Sequence, residues 1–147
     1  MKKVLKIDYK QYPGKELNKI NFEIDKNQKP IISIITPYYN SQKYIEETAN
    51  SILNQTFPYW EWVIVDDGSP DKEAQEKLKE IEKMDSRIRV LHKENGGTAA
   101  ARDYGIEKSD ERTKYIMFLD SDDLIEKTYL ECCYWTLETN PKASWAY

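Results

Sequence analysis

At 147 residues the chain is the size of one domain and long enough to bury a real core. Hydrophobic residues at 39% against 33% charged leave little room for wholesale disorder, and a net charge of -4 excludes a general nucleic-acid binder, which needs a face of excess Lys and Arg. No stretch approaches the roughly 18 apolar residues of a membrane-spanning helix and no signal-peptide core opens the chain, so the expected location is cytoplasmic, at most against the inner face of the membrane.

Residues 1–29 are rich in Lys, Asn, Asp and Tyr, with scattered apolar positions such as Val4, Leu5, Ile7 and Phe22, and read as an N-terminal extension. The domain proper spans 30–147. Its first signal is the β-branched run Ile31-Ile32-Ser33-Ile34-Ile35 between Pro30 and Pro37, which reads as a buried strand. Ile45, Ala49, Ile52 and Leu53 then recur at helical spacing, with Asn40 or Ser41 as the expected N-cap. Trp62-Val63-Ile64-Val65 is a second strand that stops at Asp66-Asp67-Gly68-Ser69. Ser69 and Pro70 supply a cap and a first-turn proline for a second helix, whose buried stripe is Ala74, Leu78 and Ile81.

Arg87 to His92 alternates as a short third strand, and Asn95-Gly96-Gly97 breaks it before Thr98-Ala99-Ala100-Ala101-Arg102 opens a third helix. Tyr115 to Leu119 is a fourth strand, halted by Asp120-Ser121-Asp122-Asp123. Tyr129, Leu130, Cys133, Tyr134 and Leu137 mark a last helix, and Ala143 to Tyr147 is expected to form a fifth strand. A chain ending inside a strand is expected to be the front part of a longer protein, its domain cut short at the C-terminal end. The alternation predicts an α/β fold: a Rossmann-like, mostly parallel sheet with helices on both faces and ligands at the carboxyl ends of the strands. Cys132 and Cys133 are adjacent, which offers neither a disulfide framework nor a zinc-ligand spacing, and are expected as reduced thiols in helix packing. Trp60, Trp62, Trp135 and Trp145 are assigned to core and helix packing, and His92 to a structural role.

The chemistry concentrates in two acidic clusters, Asp66-Asp67 and Asp120-Ser121-Asp122-Asp123, each following a strand. Three carboxylates within four residues repel one another unless a cation or strong donors neutralise them. Oxygen ligands of this kind suit Mg²⁺ or Mn²⁺, which leave coordination positions for substrate phosphates. An acidic turn capping the next helix is the competing explanation, since a carboxylate there contributes roughly 0.3 to 1 kcal/mol. Asn95-Gly96-Gly97 lacks the spacing of a phosphate loop and reads as a flexible turn.

Taken together, Ser33-Ile34-Ile35-Thr36-Pro37-Tyr38-Tyr39-Asn40, Val63-Ile64-Val65-Asp66-Asp67-Gly68-Ser69, Asn95-Gly96-Gly97 through Ala101-Arg102, and Phe118-Leu119-Asp120-Ser121-Asp122-Asp123 resemble the family 2 glycosyltransferases of the GT-A fold. The four blocks stand in the family's order and cover most of the chain from Ile31 onward. The resemblance implies a nucleoside-diphosphate-sugar donor, often UDP-linked, inversion at the anomeric carbon, a saccharide or lipid-linked acceptor, and a place in cell-surface polysaccharide synthesis. It implies that Pro37 and Tyr39 border the nucleobase and that Asp67 recognises it, with Asp66 as the alternative that holds the loop. Gly97 would lie near the donor, and Arg102 would reach a phosphate or brace the acidic loops. In the D-x-D signature Asp120 approaches the ribose, Ser121 lies between, and Asp122 with Asp120 holds the metal, Asp123 being a spare ligand. By family order the general base lies after Tyr147, so the chain by itself is expected to bind donor and to transfer sugar poorly. A phosphosignalling receiver domain and a non-catalytic nucleotide-sugar sensor are the readings from other classes.

Overall fold

A computed structural model describes residues 29–146. The expected extension over residues 1–29 therefore lies, Lys29 apart, outside the described residues, as does Tyr147. Four strands and four helices alternate: β1 Ile32–Tyr38, α1 Ile45–Leu53, β2 Trp60–Asp66, α2 Lys72–Glu82, β3 Ile88–His92, α3 Thr98–Lys108, β4 Tyr115–Phe118 and α4 Tyr129–Thr139. All pairings are parallel and the sheet runs β3-β2-β1-β4. The chain builds outward from β1 through β2 to β3, then returns to the other side of β1 for β4. That reversal opens a crevice beyond the carboxyl ends of β1 and β4, where parallel sheets take ligands.

Alternation along the strands sorts the core into two layers. Ile32, Ile34, Trp60, Trp62, Ile64 and Ile88 share one cluster with Ile45, Ala49 and Ile52 of α1, Ala74, Leu78 and Ile81 of α2, and Leu130 of α4. On the opposite face Ile35, Val63 and Val65 pack against Ala101 of α3. Every residue of β2 is buried, as expected for a central parallel strand covered on both sides. α3 can lie this close because Gly105 faces the sheet: a Cβ there would sit 2.4 Å from Ile35 Cγ2. The buried Trp62 indole is satisfied by Thr36 Oγ1 at 2.8 Å.

Three local expectations are corrected. Neither Asn40 nor Ser41 caps α1: the helix starts at Ile45 without a side-chain cap, Ser41 Oγ donates to Tyr39 O, and Asn40 Oδ1 accepts from Asp71 N. Asp71, not Ser69, caps α2 by accepting from Glu73 N at 2.9 Å, while Ser69 Oγ accepts from Asn40 N. The physical reason is common to both, because the loops after β1 and β2 lean on one another and spend their polar side chains across that contact. The fifth strand does not form over 143–146: a turn returns Ala143 N to Asn140 O, and Trp145, expected in packing, is 71% exposed. Trp60 and Trp62 are buried as expected. Cys132 and Cys133 carry thiols and form no disulfide among the described residues, where also no helix is long and apolar enough to cross a membrane.

Candidate functional site

The register brings the strand ends level. Tyr38 pairs with Asp66 and Asp66 with His92, so the turns after β1, β2 and β3 emerge side by side. At the end of β2 the chain drops two carboxylates into a ring of donors. Asp66 Oδ1 accepts from Ser69 N at 3.0 Å, and its Oδ2 lies 2.9 Å from His92 Nδ1. This carboxylate closes the turn to Ser69 and is not among the groups that line the crevice.

Asp67 is oriented differently. Its Oδ1 accepts from Lys93 Nζ at 2.7 Å and from Gly96 N at 2.9 Å, and its Oδ2 accepts from Gly97 N at 2.7 Å. Burial works against ionisation here, yet the Lys93 ammonium and the two backbone N–H groups outweigh it and hold the carboxyl below its ordinary value. Gly97 makes this possible because, as the residue just before α3, it stands at φ 87, a left-handed conformation that side chains rarely adopt, and its N–H reaches the carboxylate. A carboxylate has about four acceptor positions, and three are taken.

The end of β4 is open by comparison. Asp120 Oδ1 accepts from Arg102 NH2 at 2.6 Å, the guanidinium lying over the Phe118 ring, while the side chain stays half exposed. Asp122 and Asp123 are exposed, and their carboxylates meet no donor among the described residues. Ser121, between Asp120 and Asp122, is buried.

These turns enclose a cleft of about 270 Å³. Of the sequence-predicted residues, Pro37, Tyr39, Asp67, Asp120, Ser121 and Asp122 line it. Asp66, Gly97 and Arg102 stand behind that wall, each bonded to a residue of the site or its loop. Tyr38, Ser41 and Thr98 also line the cleft and were not foreseen. The Tyr38 phenol donates to Ala74 O, and burial, then the charges of Asp66 and Asp71, push it well above its ordinary value, so it remains a neutral donor. Lys93 was missed as well; its signal was the alignment of His92-Lys93 at the end of β3 with Asp66-Asp67 at the end of β2.

Among the described residues no cluster of three or more His, Cys, Asp or Glu side chains forms a ready-made metal cage. What Asp120 and Asp122 offer is two carboxylates on one turn with unengaged oxygens. That donor set fits Mg²⁺ or Mn²⁺, which bind through one or two carboxylates and complete their shell with water and phosphate oxygens.

A parallel sheet whose switch-point crevice is rimmed by acids from two strand ends defines an α/β domain of the kind that takes ligands at the carboxyl ends of its strands. The sequence profile described as glycosyl transferase family 2 matches residues 33–146, and the chain belongs to that family. The Bacillus subtilis glycosyltransferase TuaG, whose assignment to teichuronic acid biosynthesis is provisional, is 47% identical over 106 residues, 71% of this chain and 41% of TuaG. Streptococcus pneumoniae GlyG, a glycosyltransferase, is 41% identical over 105 residues, 71% of this chain and 34% of GlyG. Staphylococcus aureus TarS, solved with UDP-GlcNAc, superimposes with a TM-score of 0.67 at 32% identity over 78% of this chain and 32% of that one. The Pyrobaculum calidifontis mannosyltransferase PcManGT, solved with GDP-Man and Mn²⁺, shares the fold at a TM-score of 0.64 and 21% identity, over 76% of this chain and 33% of that one. The architecture is therefore GT-A, and the chain spans less than half the length of these relatives.

Proposed function

We propose that the chain is the donor-binding part of an inverting glycosyltransferase that takes a nucleoside-diphosphate-sugar, UDP-linked, and serves a saccharide or lipid-linked acceptor in cell-surface polysaccharide synthesis. The observation that carries this reading is the meeting of Asp67 with Asp120 and Asp122 on one cleft at the switch point of the sheet. The TarS complexes with UDP and UDP-GlcNAc support the choice of uridine, at 32% identity.

Each residue then has a task. Asp67 keeps one acceptor position, suited to the imide N–H of uracil, and Lys93, Gly96 and Gly97 hold it ionised so that it cannot donate instead. Tyr39, half exposed, offers its ring face to the base beside Pro37. Asp66 holds the turn that presents Asp67. Asp120 serves the ribose and, with Asp122, the cation; the hydrogen bond from Arg102 aims the Asp120 carboxylate. Mn²⁺ or Mg²⁺ bound there supplies Lewis acidity that stabilises the charge growing on the departing diphosphate. Among the described residues the acids lining the cleft, Asp67, Asp120 and Asp122, are all given to the donor in this reading, so none of them is assigned as general base for the acceptor hydroxyl.

The test is a thermal shift with UDP, GDP and acetyl phosphate, each with and without Mn²⁺. Stabilisation by UDP that needs Mn²⁺, with little from GDP and none from acetyl phosphate, is expected. Stabilisation by acetyl phosphate alone, or indifference to every nucleotide, would refute the reading.

A further inference from the structure

The loop that carries Asp120 and Asp122 is open toward the cleft but densely tied on its other side. Thr48 of α1, fully buried, donates its hydroxyl to the Ser121 carbonyl at 3.1 Å. Ser51 Oγ, one turn on, accepts from Ile125 N at 3.4 Å. Gln55 uses both ends of its amide: Nε2 donates to Glu126 O at 2.7 Å, and Oε1 accepts from Leu130 N at 3.1 Å. That orientation is imposed by the partners, because a carbonyl only accepts and a backbone N–H only donates. Thr56 N adds a bond to Lys127 O at 2.9 Å. Thr48 and Ser51 stand one turn apart on α1 and Gln55 follows just past its end, so this edge presents a polar stripe to the segment from Ser121 to Leu130.

We infer that this stripe is a latch, with Thr48 and Gln55 as positioning residues that fix the acidic loop so that Asp120 and Asp122 receive the cation and diphosphate together. The inference deepens the donor-binding reading and rests on it. Asp122 has no bond of its own among the described residues, so the backbone beneath it alone determines where its carboxylate stands. Two like charges on one turn drive it apart until a cation arrives. Bonds from a packed helix to the loop's carbonyls and N–H groups oppose that relaxation, and the ordering is already in place when the ligand comes. A buried threonine and a nearly buried glutamine that packed for shape alone would leave costly unpaired groups; here every one of these donors reaches the loop or its own helix.

The experiment uses the 147-residue chain. Thr48→Val keeps the shape and deletes the hydroxyl, Thr48→Ser keeps the hydroxyl, and Gln55→Leu removes the amide clamp. UDP affinity is titrated with and without Mn²⁺, and hydrogen exchange of residues 120–128 is followed in metal-free protein. Thr48→Val and Gln55→Leu are expected to cut the Mn²⁺-dependent gain in UDP affinity about tenfold, as displaced outer-shell partners do. Exchange should quicken in the loop but not in β1 or β2, UDP affinity without Mn²⁺ should hold, and Thr48→Ser should behave as wild type. A Thr48→Val chain with an unreduced Mn²⁺ gain overturns the latch. So does loss of exchange protection throughout the sheet, which would make the stripe a folding element only. If the wild-type chain gains nothing from Mn²⁺, the donor-binding reading fails first and the latch with it.

Discussion

At the end of β2 the Asp66 and Asp67 carboxylates are 4% and 6% exposed and accept five hydrogen bonds, from Ser69, His92, Lys93, Gly96 and Gly97. At the end of β4 the one bond from Arg102 to Asp120 is all that the carboxylates of Asp120, Asp122 and Asp123 receive from the described residues. Both are acid-rich turns following a parallel strand, and both face the same crevice. The difference is what neutralises them. Protein donors have already done so at β2, which makes that turn part of the folded framework. At β4 no donor among the described residues reaches the carboxylate of Asp122 or Asp123, which is the work proposed for a cation. Two acidic turns of similar sequence therefore differ in how far the fold itself has neutralised them.

The largest effect should come from the framework side. Asp67→Ala removes the buried member of a part-buried ion pair, leaving the Lys93 ammonium and the Gly96 and Gly97 N–H groups without their acceptor, and is expected to lower stability by about 2 kcal/mol in chemical denaturation. A loss below about 0.5 kcal/mol, the range of ordinary surface changes, would break the contrast between the two turns.

The sequence showed the β-α alternation and the strand ends with little error, because continuous apolar runs such as Trp62-Val63-Ile64-Val65 have few other ways to be buried. It also showed which turns carry acids. It did not show that Asp67 is matched to Lys93, 26 residues away. Such a pair exists only once β2 and β3 lie in register. The same long-range loop contact decided the caps, where Ser69 was spent on Asn40 and Asp71 took over α2. The fifth strand was misread for a related reason: Ala143 to Ala146 has strand-like composition, but a strand exists only against a partner, and none pairs with it among the described residues.

A smaller effect is expected from acid. Because the folded Asp67 carboxyl is held below its ordinary value, it binds fewer protons than the unfolded one through the pH range between the two values. Its contribution is thus fully present above the unfolded carboxylate value, near about pH 4, and is lost as pH falls through the folded value beneath it. Asp85, paired with Arg87, and Asp110, paired with Arg112, are lowered as well and share the acid limb. Urea midpoints measured from about pH 6 down to about pH 2 should therefore fall in the wild type and fall less steeply in Asp67→Asn. Parallel curves would show that Asp67 is not held as the framework side requires.

The smallest change in stability should come from Asp122→Ala, and there the smallness is the point. Its side chain is exposed and gives up no hydrogen bond or ion pair among the described residues, so stability should stay within about 0.5 kcal/mol of wild type. Relief of repulsion against Asp120 and Asp123 could even raise it slightly. The same substitution should abolish the Mn²⁺ dependence of UDP binding, because one of the two carboxylates offered to the cation is gone and the remaining one, Asp120, is shared with Arg102. Stability unchanged and metal dependence lost is the signature of a residue kept for a ligand. Were Asp122→Ala instead to destabilise the chain as Asp67→Ala does, the β4 turn would be framework too, and the cation would have to be sought elsewhere. Were it to change neither, the exposed acids of β4 would be a solvated turn, and Asp67 would be left as the one carboxylate of the cleft with a claim on the donor.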